Sequence, residues 1–369
     1  MRNSQTASQP QAGSTAGSTA GSGANRALEK LLASFPKATV AVVGDLVADE
    51  YVVGETDRIS REAPVLVVRY ERSELKAGCA ANAVMNLCAL GAMRVRPVGL
   101  IGDDRPGALL KGLLEEAGAD TAGVLVAEGA PTASKMRILA GGKNTRRQQI
   151  VRLDRDGPGV PSGVLLKKLL AALQTAVRGA DAVLVSDYGL GLLEALRPAV
   201  FKAAGARPVC VDARYHLRDY RGAALLKPNE VELEQAVGRP LGGTPEALEA
   251  AGRDFLAQLG AKALLVTRGR HGMALLRPGH ATAMIAAHGQ REAVDVTGAG
   301  DTVMAAITLG LACGADAVQA ARLANVAGAL VVQKPGTATV SRAELAAELA
   351  AGPVLAARQT VTIQGRPRK

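Results

Sequence analysis

The residues best suited to chemistry are Asp295-Val296-Thr297-Gly298-Ala299-Gly300-Asp301-Thr302, which run directly into the apolar stretch from Val303 to Cys313. Three small residues in succession let the backbone turn tightly, so the amides of Gly298, Ala299, Gly300 and Asp301 can converge on one point. That point falls at a predicted helix start, where unpaired N–H groups and the macrodipole both favour an anion. A carboxylate beside such a hole suits phosphoryl transfer: Asp301 takes the proton of an alcohol while the amides stabilise charge on the moving phosphoryl group. The simpler reading is a helix start with Asp301 as a capping acid. A cap, however, needs neither Asp295 nor the whole Gly-Ala-Gly run.

Such a loop must be held by a scaffold, and the rest of the chain reads as one. The apolar run Ala38 to Val43 ends in Gly44-Asp45 and reaches Asp49, the pattern of a central parallel strand whose carboxyl end carries ligand groups. Further short apolar runs, 182–186, 208–211, 223–226 and 263–267, are separated by helical windows such as 165–177 and 245–259. This rhythm predicts a parallel sheet covered on both faces. Tyr51 to Val53 and Val65 to Tyr70 read as a short antiparallel pair set apart from it, and Ser134 to Arg137 and Gln148 to Asp154 as two more such strands. Lys135, Arg137 and Arg152 on these strands fit two roles: facing an anionic substrate, or guarding a solvated edge.

Composition narrows the class. The 369 residues are 48% apolar but only 2% aromatic with no Trp, so the core is built from Ala, Val and Leu. A chain without aromatic platforms is a poor partner for single-stranded nucleic acid. The net charge of +10 is spread along the sequence, which favours a solvated surface and attraction for phosphorylated small molecules. Cys79, Cys88, Cys210 and Cys313 lack C-x-x-C spacing and lie in apolar segments, as reduced thiols of a cytoplasmic protein would. The four histidines lack zinc-ligand spacing, no apolar run is long enough to cross a bilayer, and no signal peptide is evident.

The Gly-Ala-Gly-Asp stretch resembles the second signature of the ribokinase-like (PfkB) carbohydrate kinases, and its other motifs follow in family order over about residues 36–350. The resemblance implies an α/β fold, a ribokinase-like three-layer sandwich with a mainly parallel central sheet and a small β lid. It implies that Asp301 is the catalytic base and that Gly298, Ala299 and Gly300 form the anion hole. Asp45, Asp49, Gly78, Asn82, Arg137, Asp187 and Asp295 would lie on the sugar side, with Arg58 from the lid. Asn229 and Glu232, in Lys227-Pro-Asn-Glu-Val-Glu232, match an Asn-x-x-Glu motif that helps place Mg2+ through water. Thr267, Gly269, Gly272 and Asn325 would line ATP. A homodimer through the lid is also implied.

Two stretches, Arg58-Ile-Ser-Arg-Glu-Ala-Pro-Val65 and Ser186-Asp-Tyr-Gly-Leu-Gly191, are similar to the subgroup that phosphorylates heptose 7-phosphate on the way to ADP-heptose. Four positions depart from it: Cys79 replaces Gly, Leu190 replaces Lys, and Ala213-Arg214 replaces Pro-Lys. The expected substrate is D-glycero-β-D-manno-heptose 7-phosphate. Another sugar, sugar phosphate or nucleoside, and a kinase-like protein without turnover, are the alternatives. Residues 1–25, with repeated Ala-Gly-Ser-Thr, are expected to be a loose tail, 26–350 the kinase domain with lid strands at about 51–70 and 131–154, and 351–369 a loose basic tail. A later nucleotidyltransferase step would fall to a separate protein.

Overall fold

The computed structural model describes residues 16–143, 145, 147–289, 292–352 and 358–359. The first helix, α1 (Ala16–Ser34), begins inside the stretch expected to be a loose tail. Its carboxyl half explains why: Leu28, Leu31, Leu32 and the following Phe35 are buried in the core. The Asn25 side chain also donates to the carbonyls of Leu349 and Gly352, tying the helix to the end of the domain. The low-complexity residues before Ala16 lie outside the described residues, as does most of the expected basic tail.

Strand β1 (Thr39–Gly44) leads into β2 (Leu46–Ile59), which pairs with β3 (Leu66–Cys79). Helix α2 (Ala80–Ala89), β4 (Arg94–Gly102), α3 (Arg105–Glu116), β5 (Gly123–Ala127), β6 (Ser134–Gly141) and β7 (Gln148–Arg155) follow. Then come α4 (Gly163–Val177), β8 (Ala182–Asp187), α5 (Leu192–Ala204), β9 (Val209–Ala213), β10 (Leu225–Leu226), α6 (Glu230–Val237) and α7 (Pro245–Leu259). The chain continues through β11 (Leu264–Thr267), β12 (Met273–Leu276), β13 (Ala283–Ile285), α8 (Ala299–Ala312), α9 (Ala317–Val331), α10 (Arg342–Ala351) and β14 (Arg358–Gln359).

Among the described residues the large sheet has ten strands in the order β14-β13-β12-β11-β10-β9-β8-β1-β4-β5. It is parallel from β11 to β5 and antiparallel from β11 to β14. Alternate residues of β1 enter different cores: Val40 and Val42 pack with α1, α2, α8 and α9, whereas Ala41 and Val43 pack with α4, α5 and α7. That alternation makes the layers, because a strand with apolar residues on both faces must be covered twice.

The small sheet, β3-β2-β6-β7, is two hairpins joined by the parallel pair β2 and β6. Its first two strands run 14 residues each, longer than the short pair expected. Their polar outer halves conceal the extended pattern from apolar alternation alone. The two sheets meet where β1 passes into β2 through Asp45 and where β3 passes into α2 through Cys79.

These junctions are tight. A Cβ on Gly44 would lie 2.3 Å from the Ser186 carbonyl oxygen and 2.8 Å from the Ala80 Cβ. Gly44→Ala should therefore cost about 1–3 kcal/mol by forcing β1 away from β8. The check is a lower denaturation midpoint in urea at unchanged slope.

Candidate active site

Asp301 is the third residue of α8, a helix buried on every side from Asp301 to Gly310. Gly310 lets it press against α9, since a Cβ there would stand 2.7 Å from the Ala320 Cβ. The loop before the helix turns at Gly298, whose φ of 76° is left-handed and whose missing side chain leaves room for the Asn82 amide. The Ala299 N–H donates to the Val296 carbonyl at 3.2 Å, so this amide closes the turn. Gly300 and Asp301 follow at positions where a helix supplies no carbonyl for its N–H groups.

A buried polar chain holds the carboxylate. Asn82 Nδ2 donates to Asp301 Oδ2 at 2.8 Å, and the Tyr188 hydroxyl donates to Oδ1 at 3.1 Å. Asn82 Oδ1 accepts from Asn86 Nδ2 at 3.1 Å, which fixes which way its amide faces. Asn86 Oδ1 in turn accepts from the Thr302 hydroxyl at 2.9 Å, closing the chain back onto α8. Burial, helped by the negative Asp212 nearby, pushes the Asp301 carboxyl up to about 7, against the pull of Asn82, Lys227 and Tyr188. A carboxyl with that value is about half ionised at pH 7, and its ionised form is basic enough to take a proton in a transition state.

Lys227 and Asp212 form a buried ion pair at 2.9 Å against the start of α8, and a Cβ on Gly300 would come within 3.3 Å of the lysine ammonium. Asp212, at the end of β9, and Glu232 raise the local negative charge, and the Lys227 ammonium is held charged by Asp212 and Glu232 despite its burial. These groups put a cation beside the helix start, where phosphates would gather.

Asp49, on β2, pairs with Arg137 on β6 at 2.8 Å, and the Gly78 backbone runs against its carboxylate. The Arg137 guanidinium also lies over the Tyr51 ring at 5.3 Å. Asp45 accepts from the amides of Tyr188 and Leu190 at 2.8 and 3.3 Å, and burial raises its carboxyl to about 6. Asp295 accepts from the amides of Thr297 and Gly336, both at 2.9 Å or less, and these bonds hold its carboxyl below the usual range. It braces the Gly-rich loop against the segment after α9.

On the other side, Asn229 and Glu232 form the capping box of α6, each side chain accepting the other's backbone N–H at 2.8 Å. Asn229 bridges Thr267, and Arg268 Nε donates to Glu230 at 2.8 Å, so the turn through Gly269 and Gly272 is docked onto the start of α6. Asn325, buried on α9, donates to the Ala286 carbonyl at 2.8 Å.

Two expected sugar-side residues stand apart. Arg58 is exposed near the far end of β2. The Asp187 carboxylate is taken by the Tyr220 hydroxyl at 2.6 Å, the Gly189 amide at 2.9 Å and Arg197 at 3.6 Å, so it braces the loop carrying Tyr188. Conversely, Asn86, Tyr188, Asp212 and Lys227 were not singled out from sequence. Lys227 and Asp212 did offer a signal, each standing just beyond an apolar run at a strand's carboxyl end.

A buried carboxylate at a helix start, a cation beside it, Asp45 at the junction of the two sheets and Asp49 on the small one are parts that suit a phosphotransferase acting on a hydroxylated small molecule. Residues 37–344 match the family described as pfkB family carbohydrate kinase, and the chain belongs to that family. Relatives named bifunctional protein HldE include one from Haemophilus influenzae strain PittEE, 42% identical over 315 residues and 85% of this chain. Another, from Halorhodospira halophila, is 43% identical over 336 residues and 88% of this chain. The chain spans 64% and 66% of the length of these two relatives. The fold is similar to Arabidopsis thaliana ribokinase solved with ribose and ATP, at TM-score 0.68 and 24% identity over 85% of this chain and 98% of that one. It is also similar to phosphofructokinase-2 from Escherichia coli, at TM-score 0.69 and 19% identity over 85% of this chain and 98% of that one. The fold is thus the ribokinase-like sandwich expected, and membership of a kinase family implies the use of ATP. No helix among the described residues is long and apolar enough to cross a membrane.

Asp301→Asn should lower kcat by about 10²- to 10⁴-fold, and wild-type kcat/KM should fall as pH drops below about 7. The stability sign is opposite to that of a salt-bridged acid. The folded carboxyl binds its proton more tightly than the unfolded one, near 3.8, so wild-type stability is lost as pH rises from there through about 7. Asp301→Asn lacks this loss, and its denaturation midpoint should gain on wild type across that window and level off above it.

Proposed function

We propose that this chain transfers the γ-phosphoryl group of ATP to the anomeric hydroxyl of D-glycero-β-D-manno-heptose 7-phosphate, a step toward ADP-heptose. The observation that carries the transfer is the buried Asp301, held by Asn82 and Tyr188 at the start of α8. Support for the sugar comes from the Arg58-to-Val65 and Ser186-to-Gly191 stretches together with the similarity to the HldE relatives.

In this reading Asp301 takes the hydroxyl proton as the oxygen attacks, and the free amides at the start of α8 face the equatorial oxygens of the moving group. Lys227 offsets the charge that accumulates there. Asp49 and Asp45 accept from sugar hydroxyls, and Arg137 orients Asp49. Thr267, Gly269, Gly272 and Asn325 line the nucleotide side. Among the described residues no three acids, histidines or cysteines form a metal cluster, which suits Mg2+, an ion that keeps waters and binds mainly through phosphates. Asn229 Oδ1 and one Glu232 oxygen are engaged in the capping box, so these residues would hold Mg2+ through water. The ion would neutralise phosphate charge and orient the phosphates.

ADP release should be fastest with heptose 7-phosphate when fructose 6-phosphate and ribose are run beside it. Preference for either of the others would overturn the heptose assignment while leaving the kinase in place.

The small sheet exposes Ile59, Val65, Leu66, Tyr70, Val151 and Leu153, an apolar surface of a kind that marks contacts. A homodimer through this sheet follows, and Leu153→Asp should shift the mass in solution from dimer to monomer. A wild-type monomer would exclude it. ATP as co-substrate and four free thiols support a cytoplasmic setting. Adenylylation of the product by a nucleotidyltransferase completes the scheme.

A further inference from the structure

Lys135 is a cation whose surroundings set it apart, and its role rests on the sugar-phosphate reading above. It lies on β6 in register with Asp49 of β2, two residues before Arg137, so both cations face the site side of the small sheet. Its neighbours differ in kind from those of the ion-paired cations around it. Arg137 pairs with Asp49 at 2.8 Å, Lys227 with Asp212 at 2.9 Å, and Lys76 with Glu74 at 3.7 Å. The Lys135 ammonium instead meets Cys79 Sγ at 3.3 Å and the face of the Tyr188 ring at 5.0 Å. Among the described residues no carboxylate stands within ion-pair distance of it. Asp154, opposite it on β7, is forked to Arg152 by two 2.8 Å bonds, and Asp45 Oδ2 accepts from the Tyr188 and Leu190 amides.

A half-buried ammonium held by a sulfur and a ring keeps two donor directions for which its neighbours offer only weak acceptors. Such a group gains most from an incoming anion, because the partner supplies both charge and acceptors. The location is suitable. The Tyr188 hydroxyl bonds Asp301 while its ring carries Lys135, so base and cation are separated by the scale of one tyrosine side chain. A sugar with its reacting hydroxyl at one end and a phosphate at the other has a comparable span.

Leu190 gives the placement its meaning. This residue, where the family resemblance implies a Lys, packs with Tyr188 against Val47, Cys79 and Ala133. Lys135 reaches the same Cys79 and Tyr188 from the opposite strand. We propose that Lys135 binds the phosphate monoester of the sugar substrate and so supplies, from β6, a cation beside the apolar Leu190. It is a specificity residue, and the Cys79 sulfur and Tyr188 ring hold it in place without neutralising it.

The test uses the full chain with Lys135→Met, Lys135→Arg, and Lys135→Met combined with Leu190→Lys. Each is assayed with the sugar phosphate that wild type uses best, the same sugar without its phosphate, and varied ATP. For Lys135→Met, KM for the sugar phosphate should rise about tenfold or more with kcat within about threefold, while KM for ATP and activity on the unphosphorylated sugar stay unchanged. Lys135→Arg should retain most of the affinity, and adding Leu190→Lys should restore part of it. Equal losses on both sugars, a rise confined to ATP, or no change would overturn the proposal. Wild-type preference for another sugar phosphate would sink the heptose assignment alone, since the Lys135 comparison then runs on that substrate. Preference for an unphosphorylated sugar would sink both.

Discussion

The burial of one carboxylate at the start of an enclosed helix constrains most of this structure. Asp301 loses nearly all of its water, so its charge must be met by protein groups. Asn82 comes from the helix that follows the small sheet, Tyr188 from the loop after β8, and Lys227 from beyond β10. Three separate segments are therefore drawn to one atom group, and the packing of α8 against α2 and α9 keeps that group from moving. The chain Asp301, Asn82, Asn86, Thr302 begins and ends on α8, which gives each amide one orientation and leaves no member unsatisfied. The same desolvation that demands these partners lifts the carboxyl into the range of a working base, so architecture and reactivity have a common cause.

Several residues of the family pattern hold the fold together in this structure. Asn229 and Glu232 cap α6, Asp295 ties the Gly-rich loop to Gly336, and Asp187 anchors the loop bearing Tyr188. A polar side chain that bonds two amides at a strand end is immobile, and immobility is what a phosphoryl-transfer site requires of its surroundings. Cys79 belongs to this group in a different way. Its φ of 54° is a conformation that favours glycine, at the junction between small sheet and α2. The chain accepts that strain with a side chain present, and the sulfur then serves as a neighbour of Lys135.

Charge is distributed unevenly across the cleft. At Lys227 and Asp212, at Arg137 and Asp49, and at Arg268 and Glu230, cations and acids are matched in largely buried pairs, whose attraction is strong because little water intervenes. Over the Tyr188 ring the matching stops, and a lysine is left facing polarisable but uncharged groups. Net positive charge over the whole chain would draw phosphorylated compounds toward the surface. The local imbalance decides where a phosphate would settle.

Much of this was legible in the amino-acid order. Apolar runs ending in Gly-Asp or Ser-Asp announced parallel strands, because a strand covered on both faces has no polar side to show. The Asp295-to-Thr302 stretch announced the helix start and the carboxylate in its first turn, because tight turns and helix caps depend on residues adjacent in sequence. The roles of Asn86, Tyr188, Asp212 and Lys227 were decided only by tertiary structure. Tyr188 finds Asp301, Asn86 finds Thr302 and Lys227 finds Asp212 across separate elements, and a position at a strand's carboxyl end does not say which partner a side chain will meet. The helix from Ala16 is of the same kind, stabilised by burial of Leu28, Leu31, Leu32 and Phe35 rather than by its own Gly- and Ser-rich start. Local rules thus placed the reacting atom, while long-range packing set its charge, its neighbours and the position of the cation above it.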